Sequence, residues 1–169
     1  MADFKLALKK GLDAAEKAEA NRKEIESVIE ELNKQLQEDT DGKLEIIQDL
    51  DYADTSAAVR AAIFIGGLSG AVGMGNNAAH LQKVNYLSCR NPRSENKNKL
   101  RLSEFKVGRA GYPCELKVGD EEMFCEDKQA LEQALSYLLS DPVAADKMYK
   151  VMQYKVTYAE SDGSESKDS

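Results

Sequence analysis

Two patterns in the middle of the chain have the residue types for nucleophilic or cofactor chemistry. Residues 67–71 (GLSGA) resemble the turn that presents a nucleophilic serine in hydrolases, with His80 as the one histidine able to act as base. That fold requires an acid between the two, and no carboxylate lies between Ser69 and His80. Residues 73–78 fit G-x-G-x-x-A, but no clear strand leads into them. We therefore expect a flexible or tightly packed glycine-rich loop over 66–77, with no catalytic residue and no cofactor.

Metal chemistry has weaker support. Glu115 and Lys117 match the E-x-K half of a metal-dependent nuclease site, but the same spacing also occurs elsewhere in this highly charged chain. Acidic residues at 49, 51 and 54 could bind a divalent ion, but a solvated turn after a strand is the favoured interpretation. The three cysteines show no C-x-x-C spacing, and there is one histidine. We expect no metal site, and free thiols in a reducing cytoplasm.

A basic segment over residues 83–109 has the composition to bind a polyanion. Its lysines and arginines outnumber its acids, and Tyr86 and Phe105 are interleaved with them, as in a groove that tracks phosphates and stacks bases. The flanking regions are acidic, so these cations could instead neutralise the protein's own carboxylates or protect an edge strand. The candidate macromolecule-binding residues are Arg90, Arg93, Lys97, Lys99 and Arg101.

The elements that must position these residues form an α+β fold. The fold begins with one long amphipathic helix over the first 38 residues. Its apolar stripe has spacings of three and four, and its length would be about 55 Å. A small domain cannot cover that length, so part of the stripe must meet another helix, from this chain or from a second copy. The predicted oligomerisation residues are Ile25, Ile29, Leu32 and Leu36.

The remaining elements are a small, mostly antiparallel sheet and two C-terminal helices. Strands are predicted over 43–50, 83–90 and a meander over 100–125. Between them, either a helix over 57–62, capped at 55 or 56, or a buried strand over 61–65 fits the sequence. The clearest piece is a hairpin over 112–125 that turns at Gly119-Asp120 and places Cys114 opposite Cys125. Asp127 and Asp141 are the predicted N-caps of the two helices. We divide the chain into a helical arm (1–41), a globular domain (42–158) and a disordered acidic tail (159–169).

Composition favours a non-catalytic function. The net charge of −7 and the pI of about 4.9 suit a protein that docks on another protein, and disfavour general nucleic-acid binding. No leader and no apolar span of about 20 residues is evident, so we expect a cytoplasmic location and no membrane. The hypothesis is an interaction protein of inhibitor, immunity or adaptor type that forms homo-oligomers. The alternatives are a nucleic-acid-associated protein using residues 83–109, and a small metal-dependent nuclease.

Overall fold

The computed structural model describes residues 3–52 and 83–155, which form the predicted α+β fold. Within these residues, five strands make one antiparallel sheet in chain order, preceded by one long helix and followed by two shorter ones. The elements are α1 (Phe4–Asp39), β1 (Glu45–Tyr52), β2 (Lys83–Arg90), β3 (Lys99–Gly108), β4 (Gly111–Val118), β5 (Glu121–Cys125), α2 (Lys128–Ser140) and α3 (Pro142–Met152).

Several sequence expectations lie outside the described residues. They are the glycine-rich segment 66–77, the Ser69 and His80 pair, the helix or strand over 55–65, Asp54, and the acidic tail 159–169.

The ends of α1 are fixed by local hydrogen bonds. The Asp3 carboxylate accepts from the Leu6 N–H at 3.1 Å, as expected of an N-cap. At the other end the Gly42 N–H donates to the Gln37 carbonyl at 2.8 Å, which closes a Schellman turn. Asp41 is the first left-handed residue of this turn, at φ +52°, and Gly42 follows at φ +71°. A short polar side chain such as aspartate tolerates this conformation, and glycine adopts it without steric cost.

The hairpin between β4 and β5 has the predicted register. Cys114 pairs with Cys125, and Lys117 pairs with Glu122, around a turn in which Gly119 adopts φ +61°. The apolar set of both strands therefore faces one side of the sheet. The two C-terminal helices also begin where predicted, because Asp127 accepts from the Ala130 N–H at 2.8 Å and Asp141 accepts from the Ala144 N–H at 2.9 Å.

The two faces of the sheet differ in chemistry because strand side chains alternate. One face carries the core, on which the three described helices pack. Its largest fully buried side chains from the sheet are Ile46, Leu87, Phe105 and Leu116. The other face carries charged residues, beginning with Glu45, Asp49 and Asp51 on β1, and is called the charged face below.

The three thiols belong to the core and are protected there. Burial is the main reason that the pKa of Cys114 is raised from 9.0 to about 12, and the neighbouring Cys125 adds to that shift. Burial also raises the pKa of Cys89 to about 11, and that of Cys125 above its usual range. All three cysteines are free and buried, and so are poor nucleophiles at neutral pH.

We expect the folded protein to resist alkylation by iodoacetamide at pH 8, whereas the denatured protein takes up three labels, as counted by mass spectrometry. Unfolded thiols ionise near pH 9.0, but Cys89 and Cys114 ionise only near 11 and 12 in the fold. Their contribution to stability is therefore complete below pH 9.0 and is lost as the pH rises towards 12. Rapid native labelling of any thiol would contradict this burial.

No helix in the described part of the chain combines the length and the apolar character needed to cross a bilayer.

Candidate interaction surfaces

The N-terminal half of α1 leaves the rest of the fold and is exposed on all sides. Every residue from 3 to 17 is exposed, including Phe4 at 80 %, Leu8 at 65 % and Leu12 at 57 %. Large apolar side chains this exposed on one helix are typical of a surface that binds another molecule. We call residues 4–15 the apolar arm.

The arm begins where α1 passes the end of the sheet. There the Asn21 side-chain amide donates to the Ala110 carbonyl at 2.7 Å, and the Arg22 guanidinium donates to the Arg109 carbonyl. Gly111 lies so close to α1 that a Cβ there would be 2.5 Å from the Asn21 Cβ, and its φ of +85° also requires glycine. The turn between β3 and β4 is thereby held against α1. Residues 4–17 extend about 20 Å beyond it.

The apolar stripe of α1 continues from the core into the arm without changing face. At 3.6 residues per turn, Phe4, Leu8 and Ala15 project on the same side as Ala18 and Ile29. Ala18 and Ile29 are buried, while the earlier three are exposed. The same apolar stripe is therefore buried in the C-terminal half of α1 and exposed in the N-terminal half.

The four predicted oligomerisation residues lie in the half that the chain covers itself. Ile25 and Ile29 are 2 % and 7 % exposed, and Leu32 and Leu36 are partly buried against the same core. This half of α1 is also tied to β1, because the Asn33 side chain donates to the Ile46 carbonyl and accepts from its N–H, both at 2.7 Å. A second copy would therefore find its available apolar surface on the arm.

Three cations of the basic segment, Arg90, Lys99 and Arg101, lie on the charged face, where carboxylates of β1 compensate them. The Arg90 Nε lies 2.7 Å from a Glu45 carboxylate oxygen, on the neighbouring strand. The Lys99 Nζ lies 2.6 Å from an Asp49 carboxylate oxygen, which it reaches across β2. Arg90 and Lys99 are therefore compensated by carboxylates of the same chain.

Arg101 is the most constrained residue of the basic segment. Its guanidinium contacts the Asp51 carboxylate and stacks over the Tyr86 ring, 4.7 Å from the ring centroid. Its backbone carbonyl accepts from the Lys147 Nζ at 2.7 Å, which links β3 to α3. Ser88 is buried and small, which leaves room for the long side chains that cross β2.

Arg93 and Lys97 lie in the loop between β2 and β3, away from the ion pairs that the carboxylates of β1 form. Arg93 donates to the Asp41 carbonyl at 2.6 Å, and so ties the loop to the end of α1. Lys97 is exposed. The five predicted binding residues therefore do not converge on one basic groove.

Glu115 and Lys117 have neighbours that suit a structural role. Lys106 lies 3.5 Å from the Glu115 carboxylate, and Lys117 is paired in register with Glu122. Among the described residues, no group of three or more His, Cys, Asp or Glu side chains is arranged to hold a metal ion.

Sequence reasoning missed two features of these surfaces. It did not include Phe4 in the stripe, although Phe4 lies four residues before Leu8. It also did not match the basic segment to β1, where Glu45, Asp49 and Asp51 occupy one face by simple alternation.

Comparison of the chain with protein-family models, curated proteins and solved structures yields no significant match.

Proposed function

We propose that this protein is a non-catalytic interaction protein that self-associates through the apolar arm and binds another macromolecule, as an inhibitor, immunity protein or adaptor would. The observation that carries this proposal is the exposure of Phe4, Leu8 and Leu12 on a helix whose stripe continues into the core. A covered arm would bury these side chains at a gain of about 25 cal/mol per Å² of apolar surface.

The energetics of helix formation also support the binding of a partner to the arm. Most helical stability in proteins comes from packing of an apolar face. The apolar face of the arm is exposed, and the arm carries Gly11, which costs roughly 1 kcal/mol relative to alanine in a helix interior. A partner on the stripe would stabilise the segment that the sheet does not reach.

The charged face supports a protein partner rather than nucleic acid. Arg90, Lys99 and Arg101 each contact a carboxylate of β1, so phosphates would have to displace internal ion pairs. The overall charge of −7 adds a repulsive background for a polyanion. A surface of mixed charge suits a protein partner with complementary charges.

The experiment that tests self-association compares two identical substitutions on the arm. Leu8→Asp places a charge in the stripe, whereas Leu6→Asp places the same charge on another face of the same turn, at a residue that is 50 % exposed. We expect Leu8→Asp to weaken association by at least tenfold, since a buried unpaired carboxylate costs several kcal/mol. Leu6→Asp should associate like the unmodified protein. Sedimentation velocity measures both.

Equal effects of the two substitutions would contradict the proposal, because they would show that the stripe is not the contact surface. Circular dichroism of both variants controls for loss of helix.

A further inference from the structure

We infer that the second copy binds the apolar arm in the antiparallel direction, with the two helices crossing near Gly11. This rests on the proposed self-association and adds the orientation and the charge pairs that select it. The arms then overlap along residues 4–18, and the two globular parts lie at opposite ends of the helix pair.

The first support is the separation of charge along α1. Residues 3–12 carry three lysines and one aspartate, which gives +2, whereas residues 13–19, which lie level with them across the pair, carry three acids and one lysine, which gives −2. An antiparallel pair places the basic segment of each copy beside the acidic segment of the other. A parallel pair places like charge beside like charge, which is unfavourable.

The second support is the position of individual charges beside the stripe. Lys5 and Glu16 are separated by eleven residues, so they differ by only about 20° around the helix and lie on the same flank. In an antiparallel pair with a two-fold axis near Gly11, Lys5 of one copy lies level with residue 17 of the other, next to Glu16. The symmetry produces this pair twice. In a parallel pair, Lys5 of one copy instead faces the opposite flank of the other copy. Lys10 lies on that flank, about one turn further along the helix.

The third support is the composition of the stripe at the crossing point. Gly11 lies at the middle of the arm's stripe, and a Cβ placed there would meet no atom of the described residues within 4 Å. The part of the chain that the structure describes therefore gives no steric reason for glycine at this helical position. Small residues at a crossing let two helix backbones approach closely, and Ala7 and Ala15 flank Gly11 on the same stripe.

The experiment reverses one charge on the flank of the arm. In an antiparallel pair, Lys5→Glu places two glutamates beside two Glu16 residues, and we expect association to weaken by about tenfold at low salt. The double variant Lys5→Glu with Glu16→Lys should restore association to within a few fold. Lys34→Glu is the matched control, because it makes the same charge change at an exposed residue on the same flank of α1, beyond the overlap of the two arms. Dissociation constants come from sedimentation equilibrium.

The outcomes separate the two proposals. If Lys5→Glu strengthens association, the helices are parallel, because the variant then removes the contact between Lys5 and Lys10; the orientation fails and self-association stands. If Lys5→Glu and Lys34→Glu behave alike, or if the double variant is not restored, the orientation fails in the same way. If the unmodified protein remains a single chain at every concentration, both proposals fail.

Discussion

Ile29→Asp lowers the free energy of unfolding by about 4 kcal/mol, because it buries a carboxylate without a partner in the core of one chain. Ile29 is 7 % exposed, and it faces the sheet in the half of α1 that the chain covers itself. The loss should be the same at every protein concentration, since the contact is made within one chain. Urea denaturation followed by circular dichroism measures it.

Leu8→Asp is the matched control for Ile29→Asp, since it makes the same kind of change on the same stripe of the same helix. Leu8 is exposed, so the free energy of unfolding measured in dilute solution should change by less than about 0.5 kcal/mol. A small effect of Ile29→Asp in dilute solution would show that Ile29 is covered by a second copy rather than by its own sheet.

Phe105→Ala also destabilises strongly, by about 3–5 kcal/mol, because it leaves a cavity where the largest fully buried side chain stood. Phe105 is 1 % exposed and is paired with Leu116 on the core face. For a chain of this size we expect the melting temperature to fall by about 10 °C. Differential scanning calorimetry measures the shift.

Phe124→Ala serves as the control for Phe105→Ala, since it removes the same side chain from a neighbouring part of the sheet. Phe124 lies on edge strand β5 and is 61 % exposed, so we expect a change within about 0.5 kcal/mol. Similar losses for the two variants would contradict the separation of core face and charged face.

The elements that sequence predicts best are those with local causes. The hairpin register follows from the Gly119-Asp120 turn and from the need to keep Cys114 and Leu116 on one face, and the structure confirms it. Asp127 and Asp141 are correct N-caps because a capping bond spans three residues. The α+β class follows from the sum of such local signals.

The division of α1 into a core half and an exposed half could not be predicted in the same way. The stripe looks alike from Leu8 to Leu36, since periodicity reports which face is apolar and not what covers it. The position of the division depends on where the sheet ends, at the turn that holds Asn21 and Arg22. That contact joins residues nearly ninety positions apart, which only the fold brings together.

The ion-pair partners of the basic segment could not be predicted from local signals either. Its excess of charge is a property of the sequence, but the partners of Lys99 and Arg101 are carboxylates about fifty residues earlier, on a strand that is not their neighbour. Composition therefore left two interpretations open, a phosphate-binding groove and internal neutralisation. The ion pairs with Asp49 and Asp51 favour the second.

The most direct test of self-association through the arm is sedimentation equilibrium of the unmodified protein from low micromolar to submillimolar concentration, at physiological salt and under reducing conditions. We predict that the weight-average mass rises with concentration from that of one chain, 18.7 kDa, towards twice that value. A mass of 18.7 kDa at every concentration would contradict the account, because the exposed arm of one chain would then have no second copy on it.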